Sequence, residues 1–259
     1  MDYLILTISG NEQEKTNVLK NINMLKDLPD NFTYFVYTNY KMPEAYKNLE
    51  FVYFNEMFYK IKHVIEQYDY LLLLDDDDNF TTDKIKKIQE ITEKTNKSYI
   101  HNYAYYDNAK YNYNGINNNN SCITIKTSAI DFDLFLNTKS LSDYLLWLPV
   151  CENNILSLQD KLTYIHNKEY NFISYRDYML NRYRLRLNDL LLLIDKFQNK
   201  EFFKPKNIVL KRLQKECAKY SYILNEKTKY IPDLFTLLHK NKPVDYFIKR
   251  EYDLRYGIK

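Results

Sequence analysis

An unbroken apolar run, Tyr70-Leu71-Leu72-Leu73-Leu74, passes without any turn residue into four consecutive aspartates, Asp75-Asp76-Asp77-Asp78, followed by Asn79. Five apolar residues are too few for a helix core. They read as a strand buried on both faces, the place of a central strand in a parallel sheet. Such a strand needs neighbours, and the surrounding chain supplies strand-like and helix-like segments in alternation. Residues 3–8 are apolar and stop at Ser9-Gly10-Asn11, and residues 12–28 carry Val18, Ile22 and Leu25 at helical spacing. Residues 32–37 and 51–54 are β-branched and aromatic. Residues 57–68 place Phe58, Ile61, Val64 and Ile65 on one helical face, and residues 82–95 do the same with Ile85, Ile88 and Ile91. The alternation predicts an α/β domain with a mixed, mostly parallel sheet flanked by helices. Residues 99–106 and 122–126 read as further strands, separated by a polar loop over 107–120.

The chain has only three glycines (Gly10, Gly115, Gly257), and no two are close together. A P-loop or a Gly-x-Gly-x-x-Gly turn needs closely spaced glycines so that backbone amides can approach phosphate. Both are excluded, so any phosphate must be held by side chains or by a metal. Cys122, Cys151 and Cys217 are far apart and odd in number, which predicts free thiols in a reducing compartment. The opening Met1-Asp2-Tyr3 has no basic flank or apolar stretch, and the longest apolar runs fall well short of the ~20 residues of a membrane span. A soluble, cytoplasmic protein is expected.

Four adjacent carboxylates at the carboxyl end of a central strand lie where open α/β sheets bind ligands. They raise one another's pKa unless a cation offsets them, and hard oxygen donors suit Mg²⁺ or Mn²⁺. The alternative is a solvated acidic turn leading into the next helix. The strand, Leu74-Asp75-Asp76-Asp77-Asp78 and the following helix resemble the Asp-x-Asp element of GT-A glycosyltransferases, above all the family 2 type with Leu-Asp-x-Asp-Asp. Asn120-Ser121-Cys122-Ile123-Thr124-Ile125-Lys126-Thr127-Ser128-Ala129 resembles that family's strand and turn before the acceptor helix. Ser142-Asp143-Tyr144-Leu145-Leu146-Trp147-Leu148 resembles its Glu-Asp-Tyr-x-Leu-Trp-Leu segment. The triple-Asp motif of the β1,3-galactosyltransferase and fringe-like group is similar around residues 76–78.

The resemblance covers roughly residues 1–175 and implies a GT-A-like catalytic domain moving a sugar from a nucleotide-diphosphate sugar to a glycan, lipid-linked or protein acceptor. It implies inversion, with a retaining GT-A enzyme as the alternative. Asp143 would be the catalytic base, although taken alone, after Leu141-Ser142, it reads more readily as a helix N-cap, and only the order of the segments brings the two readings level. Metal would be held among Asp75, Asp76, Asp77 and Asp78, with His166, in Tyr164-Ile165-His166-Asn167, reading either as a further ligand or as a surface histidine. Thr7, Ser9 and Asn11 stand where the family holds the nucleoside base. Asn39 takes the place of an Asp that reads uracil there, and Ser142 replaces the Glu before the base. Lys60 would meet the diphosphate or lie on a solvated face.

After residue 175 the chain turns helical and basic. Residues 176–259 hold 20 Lys and Arg against 10 Asp and Glu, net +10, while the rest is net −7. Met179, Tyr183, Leu187, Leu190, Ile194 and Phe197 fall at helical spacing, as do Leu210, Leu213, Cys217, Tyr220 and Leu224. The expectation is a helical extension over 176–259 packed on the first domain, its basic faces meeting an anionic membrane surface. A nucleic-acid-binding module is the competing reading of those helices. The net-negative body argues against it, because phosphate affinity needs positive charge.

Overall fold

The computed structural model describes residues 1–42, 47–48, 54–106, 119–141, 145–146, 155–166, 171–198, 206–232, 237–239 and 241–256. Two compact units divide the chain: residues 1–137 with 142–167, and residues 138–141 with 168–259.

The first unit is built on an eight-stranded sheet. Its strands are β1 (Tyr3–Ser9), β2 (Phe32–Thr38), β3 (Lys47–Asn48), β4 (Tyr70–Leu73), β5 (Asn79–Phe80), β6 (Tyr99–Tyr106), β7 (Ile123–Lys126) and β8 (Ile155–Ile165), in spatial order β3-β2-β1-β4-β7-β6-β8-β5. The pairs β2–β3, β1–β2, β1–β4 and β6–β8 are parallel, whereas β7 runs antiparallel to β4 and β6, and β5 antiparallel to β8. The expected mixed, mostly parallel α/β sheet is therefore present. Every residue of β4 is buried, as an apolar run in a central strand requires. Tyr3, Phe32 and Tyr70 line up across β2, β1 and β4, with the Tyr3 and Phe32 rings stacked at 4.3 Å.

Helix α1 (Lys15–Met24) follows β1 after a short 3-10 turn, and α4 (Lys84–Lys94) follows β5, burying Ile88 as its spacing predicts. The helix expected over 57–68 is broken at Ile61 into α2 (Phe54–Lys60) and α3 (Lys62–Ile65). The strand expected over 51–54 meets a correction at Phe54, which opens α2 and stacks on Phe58 at 5.5 Å; residues 51–53 lie outside the described residues.

One connection bends the sheet. Strand β5 stands four places from β4, about 19 Å away if the sheet were flat, yet only Leu74 and the four aspartates join them. Six fully extended Cα steps reach about 20 Å, and this segment is folded into a turn. The sheet must therefore curl until its far edge comes back to the end of β4. The acidic turn is the tie that closes it.

The second unit consists of α5 (Phe172–Gln198), α6 (Lys206–Ile223) and α7 (Val244–Tyr256), with the segment 138–141. The change of composition at residue 176 falls inside α5. Met179, Tyr183, Leu187, Leu190 and Ile194 of α5 and Leu213, Cys217 and Tyr220 of α6 are buried, so the apolar stripes form this unit's core. Tyr183 packs on Tyr220 with ring centres 5.1 Å apart, and its hydroxyl donates to Glu251 of α7 at 2.6 Å. The buried Asp189 carboxylate on α5 holds segment 138–141, accepting the Lys139 amide (3.0 Å), the Ser140 amide (2.7 Å) and the Ser140 hydroxyl (2.8 Å). Among the described residues, no helix is long and apolar enough to cross a membrane.

Candidate active site at the acidic turn

Leu74 extends the β4 ladder by one bond, its amide donating to Leu6 O at 3.0 Å. The chain then turns: the Asp78 amide donates back to Asp75 O at 3.1 Å, leaving Asp76 and Asp77 at the tip. Because β1 and β4 are parallel, the end of β1 arrives beside this tip. Ser9 Oγ donates to Asp76 Oδ2 at 2.6 Å and accepts from the Tyr40 hydroxyl at 2.8 Å.

Neutral amides hold the turn's backbone from α1. Asn17 Nδ2 donates to Asp76 O (2.8 Å) and Asp78 O (3.2 Å), and Asn21 Nδ2 donates to Asp78 O (2.8 Å). On the other flank, Ser121 Oγ accepts the Asp75 amide at 2.8 Å and Asn120 Nδ2 donates to Asp75 Oδ1 at 3.2 Å. The end of β8 closes the ring: the His166 amide donates to Asp78 Oδ1 at 3.1 Å, and His166 Nε2 lies 3.0 Å from Asn79 Oδ1.

The turn's neutral partners do not cancel its charge. Burial, and then the neighbouring Asp77, push Asp78 from the ordinary 3.8 up to about 7, with Ser121, the His166 amide and Asn119 opposing the rise. Burial, followed by Asp78 and Asp77, carries Asp75 well above the carboxylate range, with Asn120 opposing. Asp78 is 1% exposed, and its Oδ2 completes no hydrogen bond, although the Ser121 and Asn119 side chains are near enough to oppose the rise of its pKa. A buried carboxylate oxygen without a hydrogen bond is costly and suits a hard cation.

The direction of these shifts fixes a pH dependence. Below about pH 4, folded and unfolded chains both keep the Asp78 proton. Between about 4 and 7 the unfolded chain ionises while the folded one does not, so stability falls as pH rises and levels off above about 7. Without divalent ions, urea denaturation is expected to show a loss of up to about 4 kcal/mol from Asp78 across that window, reduced in Asp78→Asn to what the likewise raised Asp75 contributes. An equal loss in the variant would assign the dependence to other groups.

The turn, Ser9 and His166 come together as one site. Thr7 is fully buried, its hydroxyl donating to Leu74 O at 2.8 Å and lying 3.0 Å from the Tyr34 hydroxyl; it braces the base of the turn. Asn11 caps the 3-10 turn before α1, accepting the Gln13 amide at 3.1 Å. Asn39 is exposed just past β2, its amide donating to Ser9 O at 3.4 Å. Lys60 is exposed on α2 and pairs with Glu56 at 2.7 Å. Asp143 and its neighbours 142–144 lie outside the described residues. Among the described residues, no three His, Cys, Asp or Glu side chains gather as a metal-holding group.

Asn17, Asn21, Tyr40 and Ser121 were not among the sequence candidates. Asn17 and Asn21 had a readable signal: they are four apart, on one helix face, beside the apolar Val18 and Leu25. An amide pair on the apolar face of a helix implies a polar object facing it.

No protein-family model matches the chain, and no curated protein sequence matches it. Solved structures do. The crystal structure of S. aureus TarS 1-349 in complex with UDP-GlcNAc superposes with a TM-score of 0.57 at 12% identity, over 88% of this chain and 77% of that one. TarS 1-349 in complex with UDP gives 0.55 at 13%, over 88% and 76%. TarS itself gives 0.54 at 14%, over 85% of this chain but only 43% of that protein. At these identities the likeness establishes the fold. The chain has the GT-A-like α/β architecture of these structures, with a curled mixed sheet flanked by helices.

Proposed function

We propose that the chain is a glycosyltransferase that takes a sugar from a nucleotide-diphosphate donor to an acceptor hydroxyl, with inversion. The observation that carries this reading is the acidic turn: carboxylates at the carboxyl edge of β1 and β4, with Asp78 buried and its Oδ2 completing no hydrogen bond, in a GT-A-like fold. The structures sharing that fold include one solved with UDP-GlcNAc and one with UDP.

In the reaction the acceptor oxygen bonds to the anomeric carbon as the bond from that carbon to the diphosphate oxygen breaks. Asp143 takes the acceptor's proton. Ser9, Asn11 and Asn39, at the ends of β1 and β2, hold the nucleoside. Mn²⁺ or Mg²⁺, held by Asp77 and Asp78, would offset the negative charge of the leaving diphosphate. His166 keeps Asp78 oriented through its amide, and its ring is a further candidate ligand.

A donor screen tests the proposal. Incubation with a panel of nucleotide sugars and Mn²⁺ should release nucleoside diphosphate from one donor class, and that class should raise the melting temperature. Neither release nor stabilisation with any donor would sink the enzyme reading.

A further inference from the structure

Lys84 opens α4, where a cation opposes the helix dipole, and its side chain is 0% exposed. Its ammonium lies 3.9 Å from the centre of the Phe80 ring and donates to Ser121 O and to Thr163 Oγ1, the latter at 3.1 Å. Both acceptors are neutral. Thr163 in turn donates to Ser121 O at 2.9 Å and accepts from Asn102 Nδ2 at 3.0 Å. Ser121 is the residue that accepts the Asp75 amide.

A lysine so buried carries a large desolvation cost, and an apolar residue of its shape is the more stable occupant of such a place. Burial lowers Lys84 to about 7; Cys122 and Asp78 are the charges that oppose the fall. The Cys122 thiol is itself pushed up to about 12 by burial and carries no charge at neutral pH. The acidic turn is therefore what the lysine serves.

We propose that Lys84 is a positioning residue for the acidic turn: its buried amine holds Ser121, and through it Asp75, in place, and in its protonated form offsets the carboxylates. This rests on reading the turn as the donor-diphosphate site. Its consequence is that part of the turn's charge is balanced before any ligand arrives.

The test uses Lys84→Met in the full chain, with two probes measured separately: Mn²⁺ alone, and UDP alone in the presence of a chelator. Loss of the cation should tighten Mn²⁺ and weaken UDP, each by about tenfold, the scale of one unit charge acting over roughly 10 Å at an effective dielectric near 20. A packing role alone would weaken both, so parallel weakening, or no change in either, overturns the proposal. Should the Met variant not fold, Lys84→Gln, which keeps a donor for Ser121 O, is judged by the same signs. If the wild-type chain takes up neither probe, the proposed function fails instead. Lys84 is then decided by an unfolding cycle of Lys84→Met with Asp78→Asn: at least fivefold coupling in the unfolding constant sustains the charge pairing, and additivity overturns it.

Discussion

Asp78→Asn is expected to cut metal-supported turnover by at least about 100-fold while leaving the protein folded. Losses of 10–100-fold follow removal of groups that merely orient metal ligands, and a ligand itself should cost more. The variant keeps a carbonyl oxygen to accept the His166 amide and removes a charge the fold accommodates poorly, since Asp78 is pushed up to about 7. Structure and activity should therefore part company: equal or higher resistance to urea at pH 8 without divalent ions, together with lost nucleoside-diphosphate release at limiting Mn²⁺. Normal turnover in the folded variant at that Mn²⁺ level would remove the acidic turn from the mechanism.

Asp143→Asn should lower kcat by about 10²–10⁴-fold, the usual contribution of a positioned base, and leave the KM for the donor nearly unchanged. The asymmetry follows from the proposed role, because the base meets the acceptor hydroxyl and not the diphosphate. The acid limb of the pH–rate profile should vanish with it. A variant that instead loses donor affinity and keeps its rate would make Asp143 a binding residue and leave the base unassigned.

What the sequence disclosed and what it hid have separate physical causes. Strand β4 was legible because a short run of apolar residues fits a strand buried on both faces, and the turn was legible because four adjacent like charges do not continue a strand without something to offset them. Strand β8 was missed. Leu156-Ser157-Leu158-Gln159 does alternate, with Leu156 and Leu158 packed on the core, but the alternation covers only four residues before the exposed polar run Gln159-Asp160-Lys161 breaks it. Its register against β6 also shifts twice, around Tyr103. The two-residue strands β3 and β5 are too short for any periodicity, and they exist because a neighbouring edge offers hydrogen bonds. Phe54 misled because an aromatic run fits a strand as well as the start of an amphipathic helix. At the site, charged and motif-bearing residues stood out in the sequence, whereas the neutral clamps did not. Asn17, Asn21, Tyr40 and Ser121 hold the turn through backbone oxygens, a backbone amide and a hydroxyl, and those contacts appear only once the sheet has curled.

That curl has a consequence for how such a protein can diversify. The segment from Leu74 to Asp78 is at once the acidic loop of the proposed site and the strap that brings the β5 edge of the sheet back to the end of β4. Lengthening it by a residue would displace the carboxylates and slacken the return of β5 in a single step. Shortening it would strain both. New specificities are therefore open to the segments around the strap, while the strap's own length is locked by architecture and chemistry together.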